Sequence, residues 1–88
     1  MISNKLTAGE EELLVITMEE CAKLVMTCSK ILQFGKEHKH VANFIEEARD
    51  VLAMIELLEE YGMINKTALL DSKFEKRVKL REWSSLVR

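Results

Sequence analysis

Residues 13–32 read LLVITMEECAKLVMTCSKIL, an apolar run that nonetheless carries Glu19, Glu20, Lys23 and Lys30. Its apolar side chains do not alternate with polar ones, as in a half-buried strand, but recur every three or four positions, as in a helix. At about 100° per residue, Leu13, Ile16, Leu24, Thr27, Ile31 and Phe34 all fall within roughly 40° of Glu20. Leu14, Met18, Cys21, Val25, Cys28 and Leu32 form a second stripe, alternating four- and three-residue steps, on another side. A helix apolar on nearly every side is expected at the centre of a bundle. Glu20 therefore stands in the middle of an apolar face, where a charge is costly unless it is paired or holds a metal. Lys23 and Lys30 project to one side of it, by roughly 60° and 80°, and Glu19 points about 100° away, toward solvent.

Working outward, Thr7-Ala8-Gly9-Glu10 has the form of a capping box, and Gly35 supplies a stop, so the first helix is predicted to run from Thr7 to about Phe34. Proline is absent and the only glycines are Gly9, Gly35 and Gly62. The polar stretch from Gly35 to His40 reads as a connection. Asn43-Phe44-Ile45-Glu46 resembles a second cap, opening a helix that closes near Tyr61 with Gly62 behind it. A third helix is predicted from Asn65 or Thr67 to about Ser84. The expected fold is all-α, a single domain of three helices.

The 88 residues are 48% hydrophobic and 32% charged, a globular composition. So short a chain buries a limited share of its surface, and three helices with two apolar faces need a partner surface, so a homodimer or higher homo-oligomer is expected. A net charge of −2 gives no electrostatic reason to expect nucleic acid. No uncharged apolar run reaches the length of a membrane span, and the opening MISNKLTAGEEE lacks the apolar stretch of a secretion signal. Cys21 and Cys28 lie about 10 Å apart along one helix, beyond disulfide reach. With no neighbouring His or third Cys they lack zinc spacing. They are expected as reduced thiols in the core, which points to a cytoplasmic protein.

On the second helix, Val51, Met54 and Leu58 lie within roughly 40° of Glu47, and Asp50 about 60° to the side. Glu47 and Asp50 are spaced to converge on one locus, and Glu20 completes a trio if the helices pack side by side. Clustered carboxylates repel unless a cation sits among them, and hard oxygen donors suit Mg²⁺ or Mn²⁺. A salt-bridge network with Lys23, Lys30 or Arg49 fits the same pattern, which leaves both readings open.

The run EELLVITMEECAKLVMTCSKILQFG followed by ANFIEEARDVLAMIELL resembles the MazG-like all-α nucleoside triphosphate pyrophosphohydrolases, particularly short stand-alone members from bacteriophages. That family carries EExxE on one helix and ExxD on the next. Glu19-Glu20 match the first two acids and Glu47-Ala48-Arg49-Asp50 match ExxD. The tail KFEKRVKLREWSSLV resembles the closing helix, and the likeness covers roughly residues 6–86. It implies a MazG-like bundle completed by oligomerisation, with Glu20, Glu47 and Asp50 as ligands of Mg²⁺ and Glu19 a ligand or supporting group. Lys30, beside Lys23, would contact phosphate. The implied reaction cleaves a (d)NTP to (d)NMP and pyrophosphate.

The chain departs from the pattern at Lys23, where the third acid of EExxE belongs, and at Arg49, where the family prefers a small residue. An ammonium there removes a ligand and competes with Mg²⁺ for the remaining acids. Three functions follow from the sequence: a pyrophosphohydrolase impaired by Lys23, an inactive relative that binds or sequesters a nucleotide (for a phage protein, a host signalling nucleotide), or a helical interaction module. His38-Lys39-His40 reads as a solvated turn, and the basic segment with Lys73, Lys76, Arg77, Lys79, Arg81 and Arg88 as a solvated helix face. Trp83 reads as a packing anchor.

Overall fold

The computed structural model describes residues 4–84; the end of the tail run and Arg88 lie outside them. It is all-α, as expected, with α1 over Ala8–Phe34, α2 over His38–Glu60 and α3 over Lys66–Trp83, and no strand among the described residues. Among the described residues, no helix is long and apolar enough to cross a membrane.

The helix ends follow local chemistry. Thr7 Oγ1 accepts from the Glu10 amide at 3.1 Å while Glu10 Oε1 accepts from the Thr7 amide at 2.8 Å, the complete capping box. Gly35, at φ 84°, ends α1, and its amide donates to the Ile31 carbonyl. At the end of α2, the Met63 amide donates to the Leu58 carbonyl and the Gly62 amide to that of Glu59, the paired bonds of a Schellman turn. Gly62 sits there at φ 77°, where a side chain is strained. Gly62→Ala is expected to destabilise the chain by about 1–2 kcal/mol, read as a lowered urea midpoint with unchanged slope. Asn65 caps α3 by accepting from the Ala68 amide at 2.9 Å.

One boundary differs from expectation. The second helix begins at His38 with Glu37 as its N-cap, six residues before the cap read at Asn43. The connection shrinks to residues 35–37, and Asn43 and Glu46 lie inside the helix rather than closing its end. Nothing in residues 38–42 opposes helix formation, and the early start brings His40 onto Phe34, their rings stacked with centroids 5.4 Å apart. Of the two histidines only His38 is exposed, and residues 38–40 form the first turn of the helix and not a solvated loop.

A three-residue link between helices of 27 and 23 residues forces α1 and α2 into an antiparallel hairpin, and they pack along their length. Met54 and Leu58, one turn apart on α2, are the only buried hydrophobic residues among those described. α3 projects from this hairpin without sustained packing on either helix, and Trp83 is exposed, its ring under the Lys76 ammonium at 4.8 Å instead of anchoring a core. The radius of gyration is 16.1 Å, against about 12 Å for a compact chain of this length.

The hairpin corrects the expectation of core thiols. α2 covers the face of α1 that holds Leu13, Leu24 and Ile31, while the second stripe is left outside; Cys21 and Cys28 are both exposed. One neighbouring helix covers only one side of a cylinder, so a helix apolar all round keeps an open face within this single chain.

Candidate functional site

The covered face of α1 carries Glu20, and α2 brings Glu47 and Asp50 against it. One carboxylate oxygen from each lies within 4.8 Å of the other two, and all three residues are half-buried. Their convergence follows from the hairpin register: Glu47 and Asp50 share a side of α2 one turn apart, at the level where antiparallel α1 presents Glu20.

Two cations have entered this cluster. Lys23 Nζ donates to Glu20 Oε1 at 3.3 Å. Its pKa is raised, first by that hydrogen bond and then by the charge of Glu20, against an opposing desolvation and with the smallest contributions from the charges of Glu47 and Asp50. A lysine with a raised folded pKa gives stability that is fully present below its unfolded pKa of 10.5 and is lost only as pH climbs through the raised value. Lys23 therefore carries its charge throughout neutral pH. Arg49 turns back on its neighbour, donating from Nε and Nη2 to Asp50 Oδ1 at 3.2 and 3.1 Å.

These contacts do not satisfy the cluster. Glu20 Oε2 and Glu47 Oε2 are shielded from solvent and have no hydrogen-bond partner. A shielded polar atom without a partner costs about 1–3 kcal/mol, and more when charged. Two such oxygens within a group of converging carboxylates are an arrangement that a cation relieves. Oxygens sharing one octahedral Mg²⁺ at about 2.1 Å lie about 3.0 Å apart when adjacent and about 4.2 Å apart when opposite, so the trio must draw in from its spread of up to 4.8 Å by rotation about its side-chain torsions. The donor set fits a hard divalent cation.

Beside the acids, a groove of about 320 Å³ runs toward the hairpin end, lined by Lys23, Met26, Thr27 and Lys30 of α1 and by Asn43 and Glu47 of α2. Glu47 belongs to both the cluster and the groove. The groove is thus acidic at one end and basic at the other. Thr27 Oγ1 donates to the Leu24 carbonyl at 2.8 Å, which leaves its lone pairs open to the groove. Glu20, Glu47 and Asp50 are brought together with Lys23 beside them, Lys30 joins Lys23 and Glu47 only along the groove, and Glu19 is exposed and stands outside the cluster. Asn43 and Met26 were not singled out from the sequence. Asn43 lies one turn before Glu47 on the same side of α2, a relation visible only once that helix starts at His38.

Compared with known proteins, the chain matches no family model, and no curated protein or solved structure shows significant similarity to it.

Proposed function

We propose that this chain binds a nucleotide polyphosphate through a divalent cation held by Glu20, Glu47 and Asp50, as a MazG-like pyrophosphohydrolase does. The observation that carries this reading is the pair of unpartnered, shielded oxygens, Glu20 Oε2 and Glu47 Oε2, within a trio of converging carboxylates. A bound Mg²⁺ or Mn²⁺ would neutralise phosphate charge and lower the pKa of a coordinated water. Lys30 would meet the phosphate chain as a point charge. Asn43 offers both a donor and an acceptor to the ligand, and Met26 an apolar surface at the groove wall. The reaction proposed for this site releases pyrophosphate and a nucleoside monophosphate.

Binding without turnover is the second reading, favoured by the Lys23–Glu20 pair, which occupies one ligand oxygen and replaces the third acid of the motif. Incubation with a panel of nucleotides and Mg²⁺ or Mn²⁺, with pyrophosphate release and ligand binding both measured, separates the two. Glu47→Ala and Asp50→Ala are each expected to weaken cation-dependent binding by roughly 10–100-fold and to abolish any release. Binding that is indifferent to both the cation and these substitutions would overturn the proposal.

A further inference from the structure

The side of the hairpin opposite the groove carries two apolar seams. On α1 it holds Leu14, Met18, Cys21, Val25, Cys28 and Leu32; on α2 it holds Val41, Ile45, Ala48, Leu52 and Ile55. Each seam alternates four- and three-residue steps, the spacing of a coiled-coil interface. Each also lies about 100° round from the side its helix turns toward the other, in the same rotational sense. Because the helices are antiparallel, that equal rotation brings both seams to one flank of the hairpin. Lys23, Met26 and Lys30 are rotated the opposite way, toward the groove.

Seven of these eleven residues are exposed, and Leu14, Val41, Ala48 and Ile55 are half-buried. Met18 is 71% exposed, Val25 67%, Leu32 88%, Ile45 62% and Leu52 61%. Apolar residues this open and this contiguous mark an interaction surface. The accessible surface of the chain is 7495 Å², against about 5,300 Å² for a folded monomer of 10.2 kDa. The flank measures about 35 by 20 Å from the helix lengths and a typical interhelical spacing, an area close to the ~800 Å² per partner of a stable interface.

We propose that this flank is covered by a second copy of the same flank, so that two hairpins close into an antiparallel four-helix bundle with their grooves facing outward on opposite sides. Self-association is favoured over a different partner by the seam itself. Reversed about its midpoint, the α1 seam pairs Leu14 with Leu32, Met18 with Cys28 and Cys21 with Val25, leaving no position unmatched, as a two-fold axis requires. It holds no charge, so a copy meets it without burying an unpaired ion. This proposal does not depend on the nucleotide reading, since the grooves stay open in the bundle.

The thiols report on the interface, because Cys21 and Cys28 are exposed in one chain and covered in the bundle. Sedimentation equilibrium of the full chain is expected to give twice the 10.2 kDa monomer mass. Both thiols are expected to react slowly with a disulfide reagent in the dimer and at the unfolded rate on dilution to monomer. Val25→Glu and Leu52→Lys are each expected to weaken the dimer by roughly 30-fold or more, with helicity checked by circular dichroism. Should either variant unfold, dilution of the unsubstituted chain still supplies the test. A monomer with reactive thiols at high concentration, a monomer with protected thiols (α3 folded over the flank), or a dimer with freely reactive thiols would each overturn the proposal.

Discussion

Lys23→Glu is expected to tighten divalent-cation binding by roughly 10–100-fold, the scale on which a group supporting a metal site changes its affinity. The ammonium lies 3.3 Å from Glu20 Oε1 and stays charged through neutral pH, because its pKa is raised by that hydrogen bond and by the neighbouring acids. It therefore competes with any cation for the same oxygen. The substitution removes this competitor and supplies the acid that completes EExxE, so two changes act in one direction. Lys23→Gln separates them, since it removes the charge without adding a ligand, and an intermediate affinity is expected. Manganese titration followed by calorimetry reads both variants. If the chain is a blocked enzyme, pyrophosphate release should rise together with cation affinity in Lys23→Glu. A cation affinity unchanged in both variants would mean that the acids do not form a metal site, and the ion pairs are then structural.

Met54→Ala and Leu58→Ala are expected to cost about 2–5 kcal/mol each, the range for deleting a buried aliphatic side chain. The chain has no reserve from which to absorb this loss. These two are its only buried hydrophobic residues among those described, and a domain's net stability is about 5–15 kcal/mol. Both variants are expected to lower the melting temperature, read by circular dichroism at fixed protein concentration. The concentration must be fixed because a self-associating chain melts higher when more of it is present. A change of a few tenths of a kcal/mol in either variant would mean that the hairpin contact contributes little and that stability resides elsewhere.

Much of the architecture was legible in the sequence. The capping box at Thr7, the stop at Gly35, the Gly62 turn and the Asn65 cap each depend on hydrogen bonds within a few residues, and local chemistry is sufficient to specify them. Glu20, Glu47 and Asp50 were also legible, because helical periodicity places each on an apolar face whatever that face later meets. The start of α2 was not. Asn43 has the composition of a cap, but helix propagation from His38 and the stacking of His40 on Phe34 override it. The thiols were misplaced for a different reason. The two apolar faces of α1 look alike in the sequence, and nothing local says which one α2 takes.

The sequence by itself determined that there are three helices, where they end and which acids stand among apolar neighbours, because these depend on dihedral preference, capping and a 3.6-residue period. Only the tertiary structure decided which face of α1 is covered, and with it the meeting of the three acids. It also decided the two shielded oxygens left without partners, the groove that joins Glu47 to Lys30 and Asn43, and the apolar flank that stays open. Those outcomes depend on how two helices rotate about their own axes when they pack. That rotation is a property of the pair, set by side chains distant in sequence, and no single helix carries it.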